Sequence, residues 1–131
     1  MASATTLPAY DGYKNFRVSS PSTAVVHVEI NRPEKLNAFS RACWLEFGKV
    51  FGQLSADPDV RAIVLSGAGD RAFTAGLDVQ DAQSNGVGPK GGDIARTAKG
   101  LRFLIEEFQD CISAMEKCEK RECPYFPPSA D

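Results

Sequence analysis

Two strand patterns with a helix pattern between them set the narrowest limit on how this chain can fold. Residues 24–30 alternate valine and isoleucine with polar residues, and residues 60–65 form an apolar run of the kind that a sheet buries on both faces. Between them, Ser40 can cap a helix whose apolar residues recur at three- and four-residue steps: Trp44, Phe47, Phe51 and Leu54. This order predicts a right-handed crossover, a parallel or mixed sheet, and therefore an α/β fold.

A turn of small residues follows the second strand and is the first candidate for a functional site. Its sequence is Phe73-Thr74-Ala75-Gly76-Leu77-Asp78. Glycine lets the chain turn sharply and lets another molecule approach the backbone closely. Backbone N–H groups held in such a turn can stabilise a negatively charged oxygen.

Residues 67–72 also fit the Gly-x-Gly-x-x-Gly/Ala pattern of a dinucleotide-binding loop. That fold needs a helix to begin at the glycines and an acidic residue about twenty positions further on at a strand end. No helical pattern begins there, because the Phe73–Asp78 turn follows instead. We therefore do not expect a nucleotide-binding fold.

The two ends of the chain differ from its middle. Residues 1–12 are small and mostly uncharged, and we expect a flexible leader. After a Gly-rich stretch at 83–92, which has the composition of a mobile loop, Asp93 can cap a long helix. Residues 121–131 contain three prolines among charged residues, and we expect an irregular tail. The single domain is then residues 13–120.

Three segments resemble the crotonase, or enoyl-CoA hydratase/isomerase, superfamily. Ile30–Ala38, with the sequence Ile-Asn-Arg-Pro-Glu-Lys-Leu-Asn-Ala, is similar to the family's first strand-to-loop signature. Ile63–Gly67 followed by Phe73–Asp78 is similar to the second. Pro89–Arg96 resembles the dienoyl-CoA isomerase branch, whose members convert conjugated 3,5-dienes to 2,4-dienes. Because the resemblance covers roughly the first half of a family domain, it implies an incomplete crotonase-type ββα spiral, truncated before the second half of the core.

The resemblance assigns roles to particular positions. The backbone N–H of Leu77 would be one donor of an oxyanion hole for an acyl-CoA thioester. The neighbouring residues would shape the turn and line the acyl-CoA channel: Ala75, Gly76 and Asp78. The preceding loop would hold the CoA nucleotide and pantetheine, with Lys35 acting through its charge on phosphate and Leu36 and Ala38 through their backbone.

The chain departs from the family pattern at residue 120. In the family, the long helix leads into a Lys-Pro-led apolar strand, then a Gly-rich helix start that supplies the second N–H donor, and later the catalytic carboxylates. Here Lys120-Arg121-Glu122-Cys123-Pro124 follows the helix. One donor is typically worth ~2.7–4 kcal/mol in the transition state, and a proton-transfer group contributes a further ~10²–10⁴-fold. We therefore expect an amino-terminal fragment or truncated product that is inactive alone, with an altered reading frame or retained intron near residue 121.

The function implied by the resemblance is isomerisation or hydration of unsaturated fatty acyl-CoA in β-oxidation, by enolate stabilisation and proton transfer. The CoA thioester would be the substrate, and no other cofactor is expected. The resemblance also implies a peroxisomal or mitochondrial location, although the sequence shows no clear targeting signal and a cytoplasmic location stays open. The alternative is a non-catalytic partner that forms a homo- or hetero-oligomer with full-length crotonase subunits through an exposed sheet edge and an uncovered apolar face.

Composition and spacing exclude other classes. The net charge is −2, and no Lys/Arg patch dominates a segment, which argues against nucleic-acid binding. The longest apolar runs are only a few residues, too short to span a membrane. Cys111, Cys118 and Cys123 are spaced by seven and five residues and the only histidine, His27, is distant, so we predict no metal site and reduced thiols.

Polar side chains outside the motif have ordinary explanations. His27 lies on the polar side of its strand, with no serine or cysteine close to it in sequence, and we expect a surface or half-buried position. Asp78 and Asp81 could be a carboxylate pair, but hydrogen bonding at the start of a helix is the use that we favour.

Overall fold

The structure is a computed structural model that describes residues 5–84 and 92–125. The strands are β1 (Thr5–Thr6), β2 (Phe16–Ser22), β3 (Val25–Ile30), β4 (Ala62–Gly67) and β5 (Arg121–Pro124). The helices are α1 (Arg41–Ala56), α2 (Val79–Ser84) and α3 (Ile94–Lys117). Short 3₁₀ turns occupy Pro8–Tyr10 and Pro33–Lys35.

Within the described ranges, the strands form one mixed sheet in the order β1-β2-β3-β4-β5. β1, β2 and β3 pair antiparallel, whereas β4 is parallel to β3 and β5 is parallel to β4. The register of the central pair places Val26 beside Ile63 and Val28 beside Leu65. The predicted α/β class and the parallel crossover through α1 are confirmed.

The core lies between α1 and the inner face of the sheet. Alternation along β3 buries Val26, Val28 and Ile30, as its pattern predicts. α1 begins at the predicted cap, since the Ser40 side chain accepts a hydrogen bond from the Cys43 N–H at 3.2 Å. The helix buries one face in the same cluster, through Cys43, Phe47, Val50, Phe51 and Leu54.

The prediction of a flexible leader over residues 1–12 is wrong for the part that the structure describes. Thr5–Thr6 pairs with β2, and Tyr10 is only 3% exposed within the core. The Tyr10 hydroxyl donates a hydrogen bond to the Asp57 carboxylate at 2.8 Å. A two-residue strand and a single 3₁₀ turn are too short to produce a periodic pattern, so neither could be predicted. Residues 1–4 lie outside the described residues.

The prediction of an irregular tail over residues 121–131 is also wrong at its start. Arg121–Pro124 is a strand that pairs parallel to β4, and the Tyr125 N–H continues the pairing to the Leu65 carbonyl at 2.8 Å. Among the described strands β5 has one neighbour, and an edge strand tolerates proline, which cannot donate to a second one. Residues 126–131 lie outside the described residues, as does most of the predicted 83–92 loop.

α3 packs along α1 but buries none of its residues completely. It begins at the predicted cap, where the Asp93 side chain accepts a hydrogen bond from the Ala95 N–H at 3.2 Å. Within residues 5–84 and 92–125, we find no helix with the length and apolar character needed to cross a membrane.

Candidate functional site

Two connections from different parts of the chain lie side by side at the ends of β3 and β4. The first is the 31–39 loop after β3, and the second is the 72–78 turn after β4. The Ala75 N–H donates to the Leu36 carbonyl at 3.0 Å, and the Phe39 N–H donates to the Gly76 carbonyl at 2.7 Å. The Asp78 N–H then returns to the Phe39 carbonyl at 2.9 Å. These bonds bring all seven of the predicted site residues into one region.

Asn37 holds the two connections together from inside. It is 1% exposed, and its amide nitrogen donates to the carbonyls of Ala68 at 3.0 Å and Ala72 at 2.9 Å. Its amide oxygen accepts from the Arg32 N–H at 3.0 Å. Its backbone carbonyl accepts from the Thr74 hydroxyl at 2.7 Å. A buried side chain with every polar atom paired fixes the relative position of the loops around it.

Glycine is required at two points of this region for different reasons. A Cβ on Gly67 would lie 2.8 Å from both the Ala72 carbonyl oxygen and the Asn37 amide nitrogen, so any larger residue would push the connections apart. Gly76 has a φ of 87°, which is in the left-handed region that residues with a Cβ rarely adopt. The turn therefore has its present shape only with glycine at both positions.

A partly buried ion pair braces the far end of the turn. The Arg32 guanidinium lies 3.2 Å from the Asp78 carboxylate, and it also donates to the Ala38 carbonyl. Asp78 accepts a further hydrogen bond from the Asp81 N–H at 3.0 Å, at the start of α2. The Asp81 N–H and the Arg32 side chain both lower the pKa of Asp78, although burial opposes them.

Leu77 occupies the position where the turn is open. In the parallel bridge between Phe39 and Leu77, the Gly76 carbonyl and the Asp78 N–H face Phe39. Because successive residues of an extended chain direct their backbone groups to opposite sides, the Leu77 N–H is directed away from Phe39. Leu77 is 43% exposed, so the residue that carries this donor lies at the protein surface.

Among the predicted loop residues, Leu36 and Ala38 have backbone groups that are less available to a ligand than the Leu77 N–H, because they are already hydrogen-bonded within the protein. The N–H groups of Leu36 and Ala38 already donate within the loop, to the carbonyls of Pro33 and Lys35. Their carbonyls also have partners, which leaves one lone pair on each. The Lys35 ammonium is exposed and lies 3.4 Å from the Gln80 side-chain oxygen on α2, so it retains protons to donate to an anion.

The carboxylates of both Asp78 and Asp81 bind backbone N–H groups at helix starts, as predicted: Asp78 at the start of α2 and Asp81 at the start of α1. Asp81 accepts a hydrogen bond from the Arg41 N–H at 2.9 Å, in addition to donating its own N–H to Asp78. The Gly67–Ala72 segment leads into the turn and not into a helix, since α2 begins only at Val79. The Gly67–Ala72 segment therefore lacks the helix start that a dinucleotide-binding loop requires.

Sequence reasoning missed the polar network that shapes the site. Arg32 and Asn37 belong to the strand-to-loop motif, and nothing in their spacing indicates an ion pair or a buried amide. The single available signal was the position of Asn37 among residues of a loop, where asparagine tolerates positive φ, here 57°.

A second concave region lies on the other face of the sheet. His27 is half-buried, as predicted, and its Nε2 is 2.5 Å from the Ser66 hydroxyl oxygen. A cavity of about 390 Å³ borders the pair and is lined also by Glu29, Val64 and Tyr125. Nothing close to His27 in sequence indicates this partner, because it is the adjacent parallel strand β4 that brings Ser66 next to His27.

The four cysteines are free, and burial raises the pKa of the Cys43 thiol to about 12. A thiol with such a pKa carries almost no thiolate at neutral pH and is unreactive. In the part of the chain that the structure describes, no group of three or more His, Cys, Asp and Glu side chains is arranged to hold a metal ion.

The class of protein follows from this architecture and from the sequence of the two connections. The family model for enoyl-CoA hydratase/isomerase matches residues 20–120, so the chain belongs to this family.

Particular relatives are similar over most of the chain. It is 45% identical over 108 residues to the mitochondrial Delta(3,5)-Delta(2,4)-dienoyl-CoA isomerase of Rattus norvegicus, covering 82% of this chain and 33% of that protein. It is 37% identical over 113 residues to the peroxisomal Delta(3,5)-Delta(2,4)-dienoyl-CoA isomerase of Arabidopsis thaliana, covering 84% of this chain and 40% of that protein.

The fold is also similar to solved structures. An enoyl-CoA hydratase/isomerase from Marinobacter aquaeolei superposes with a TM-score of 0.69 at 25% identity, covering 85% of this chain and 40% of that one. The fold is thus a crotonase-type α/β fold, and the chain spans about a third to two fifths of the length of the relatives that it matches.

Proposed function

We propose that this chain forms the thioester-binding part of an unsaturated acyl-CoA isomerase or hydratase of fatty acid β-oxidation. The observation that supports this most is the Leu77 N–H. It is directed away from the Phe39 bridge at an exposed turn, and the neighbouring backbone groups are fixed by hydrogen bonds. A donor held in this way is suited to the oxygen of a thioester carbonyl that becomes an enolate.

The other site residues would bind and orient the substrate. Lys35 would contact a CoA phosphate with its ammonium, while Leu36 and Ala38 would offer the remaining lone pairs of their carbonyls to the nucleotide or pantetheine. Ala75 and Gly76 would line the acyl-CoA channel. Asp78 would contribute as a brace and not as a base, because its carboxylate is paired with Arg32 and its pKa is lowered.

The dienoyl-CoA isomerase reaction is the specific activity that we propose for a family-length protein with this amino-terminal region. Enolate stabilisation and proton transfer require no cofactor beyond the CoA thioester itself. The 131 residues contain one assigned donor and no assigned proton-transfer group. We expect them to bind acyl-CoA without turnover, in a mitochondrion or a peroxisome as for the relatives.

Calorimetric titration with octanoyl-CoA tests the role of the Leu77 N–H. Leu77→Pro removes the donor, whereas Leu77→Ala removes the side chain and keeps the donor. Loss of one hydrogen bond to a carbonyl should weaken binding by roughly three- to tenfold in Leu77→Pro. Leu77→Ala should bind within about twofold of the unmodified chain, on the same scale.

CoA without an acyl group serves as the matched ligand. It should bind the unmodified chain and Leu77→Pro equally, because it has no thioester carbonyl. Equal loss of octanoyl-CoA binding in both variants, or no binding by the unmodified chain, would contradict the proposed site.

A second candidate function is that of a non-catalytic partner. Among the described strands, β5 is paired on one side only, and such an edge can accept a strand from another chain. The partner would be a full-length crotonase subunit. Co-purification of the two chains would support this function, and an isolated chain that never associates with such a subunit would exclude it.

A further inference from the structure

Arg32 is held at its backbone before its side chain reaches the turn. Its N–H donates to the side-chain oxygen of Asn37 at 3.0 Å. Its carbonyl accepts from the N–H groups of Lys35 and Asn37, at 3.0 and 2.8 Å. Three hydrogen bonds within the 31–39 loop fix the backbone from which the Arg32 side chain starts.

The Arg32 guanidinium contacts both connections of the candidate site at once. One arm donates to the Ala38 carbonyl, and the other lies 3.2 Å from the Asp78 carboxylate. Both contacts fall next to the parallel bridge, since Ala38 directly precedes Phe39. Asp78 directly follows Leu77, the other partner of that bridge. A planar guanidinium holds two partners at a fixed angle, so Arg32 acts as a clamp on the residues next to the bridge.

The clamp is shielded from solvent. The side chains of Arg32 and Asp78 are only 15% and 11% exposed. Salt screens a partly buried ion pair much less than an exposed one. The contact is therefore stronger than an ion pair at the surface, such as that of Arg17 with Glu29, in which the arginine side chain is 68% exposed.

The direction of the Leu77 N–H depends on the bridge that Arg32 clamps. The Gly76 carbonyl and the Leu77 N–H belong to one planar trans peptide group, in which they point in opposite directions. The carbonyl accepts from the Phe39 N–H at 2.7 Å, which directs the Leu77 N–H away from Phe39. Gly76 has no Cβ, so its own backbone resists rotation of that peptide plane very little. The plane keeps its direction only while the bridge stays closed.

We propose that Arg32 is a positioning residue for the thioester donor, which rests on the proposed function of the Leu77 N–H. By tying Ala38 to Asp78, Arg32 keeps the bridge closed and so fixes the peptide plane that carries the donor. The guanidinium makes its contacts inside the protein, so it acts through the turn and does not touch the substrate. A donor aimed in advance is what stabilisation of a developing enolate requires.

Direct contact with a CoA phosphate is the other role that an arginine in this loop could have, because guanidinium groups bind phosphate well. The two roles differ in the ligand that they affect. An arginine that binds phosphate is needed for CoA and for octanoyl-CoA alike. An arginine that directs the Leu77 N–H matters only for octanoyl-CoA, because CoA has no thioester carbonyl.

Calorimetric titration of the 131-residue chain with octanoyl-CoA and with CoA separates these roles. Arg32→Met removes the clamp and should weaken octanoyl-CoA binding by at least about threefold, but no more than Leu77→Pro does. Its affinity for CoA should stay within about twofold. Arg17→Met is the matched control, since it removes the same charge from the pair with Glu29 on β2 and β3. This control should bind both ligands as the unmodified chain does.

A double variant tests whether Arg32 acts through Leu77. Arg32→Met/Leu77→Pro should bind octanoyl-CoA within about twofold of Leu77→Pro alone, because the clamp has no role once the donor is gone. A general weakening of the fold would instead add its loss to that of Leu77→Pro. Additive losses would therefore overturn the positioning role.

Arg32→Lys keeps the result decisive if Arg32→Met does not fold, as judged by circular dichroism. Lysine retains the charge beside Asp78 but has no second arm for the Ala38 carbonyl. Arg32→Lys should show the same selective loss of octanoyl-CoA over CoA, to a smaller extent than Arg32→Met.

Two further outcomes would overturn this inference while the proposed function stands. One is an equal loss of CoA and octanoyl-CoA binding in the Arg32 variants, which would make Arg32 a phosphate contact. The other is unchanged binding of both ligands in these variants while Leu77→Pro weakens octanoyl-CoA binding. If Leu77→Pro has no selective effect on octanoyl-CoA, the proposed function itself is wrong, and the positioning role is overturned with it.

Discussion

At the scale of single residues, Asn37 determines whether the site exists. Its side chain joins the strand end at Ala68 to the turn at Ala72, and its backbone supports Thr74. Its φ of 57° adds a second constraint, because a side chain with a Cβ is strained there unless it is asparagine or aspartate. The side-chain amide and the positive φ of Asn37 therefore both determine how the two connections are held.

Replacement of Asn37 separates these two contributions. Asn37→Gly removes the amide without backbone strain and should lower the free energy of unfolding by about 2–3 kcal/mol, since it leaves buried carbonyls unpaired. Asn37→Ala should cost about 1 kcal/mol more, because alanine is strained at positive φ. Urea unfolding measures both, and values within about 0.5 kcal/mol of the unmodified chain would show that the network does not stabilise the fold.

Asp78 makes the stability of the site depend on pH. The Asp81 N–H and Arg32 lower the pKa of Asp78 in the folded chain relative to the unfolded value of about 3.9. Its contribution to stability is therefore fully present above about pH 4 and is lost as the pH falls through the lower folded pKa. Asp78→Asn should be less stable than the unmodified chain at pH 7, and the difference should shrink below about pH 4.

The control for this pH dependence is Asp70→Asn, at an exposed aspartate near the same turn. Urea midpoints measured from pH 3 to pH 7 should run parallel for Asp70→Asn and the unmodified chain. A constant difference between Asp78→Asn and the unmodified chain across this range would contradict the ion-pair explanation.

At the scale of elements, the close approach of α3 to α1 depends on a glycine. A Cβ on Gly48 would lie 3.3 Å from the Cys111 Cα and 3.4 Å from its Sγ, whereas nothing lies within 4 Å of a Cβ on Gly52 in the same helix. Glycine costs about 1 kcal/mol relative to alanine inside a helix. At Gly48 the missing Cβ lets the two helices touch, which offsets that cost.

This pair of glycines gives a prediction with its own control. Gly52→Ala should raise the free energy of unfolding by about 0.5–1 kcal/mol, through helix propensity alone. Gly48→Ala should be about 1 kcal/mol less stable than Gly52→Ala, because Cys111 must move to admit the methyl group. Denaturant titration measures the free energy of unfolding of both variants. Equal stabilisation by both substitutions would mean that α3 does not pack closely on α1 at Gly48.

Most of the elements could be predicted because they repeat a pattern. The valines of β3 alternate, the apolar residues of α1 recur at helical steps, and Ser40 and Asp93 are ordinary caps. β1 and β5 could not be predicted, since Thr5–Thr6 has no period and Arg121–Pro124 is charged and ends in proline. Both lie at the edges of the described sheet, where pairing with one neighbour imposes little on the side chains.

The site was predictable where it belongs to a motif and not where it depends on contacts. The 72–78 turn and the residues around Lys35 were found from their sequence. The links between them, through Asn37 and between Arg32 and Asp78, join residues 31 to 46 positions apart. A single sequence does not reveal such links, because asparagine, arginine and aspartate are mostly exposed residues, and their presence in a loop does not indicate a buried contact.

At the scale of the whole molecule, the candidate site lies at one end of the central strands of the sheet. β3 and β4 carry the two connections at their ends, so the central parallel pair positions the candidate site. α3 lies along α1 and buries none of its residues completely.

The measurement that tests the central proposal most directly is the chemical shift of the Leu77 amide in the ¹⁵N-labelled chain, with and without octanoyl-CoA. A thioester carbonyl bound at the turn should move the Leu77 amide proton downfield, and CoA alone should not, since it lacks the acyl carbonyl. The Gly76 carbonyl and the Asp78 N–H are hydrogen-bonded to Phe39, so the chemical shift of the Asp78 amide proton should change less than that of Leu77. An unchanged Leu77 amide at saturating octanoyl-CoA would show that this N–H does not receive the thioester oxygen.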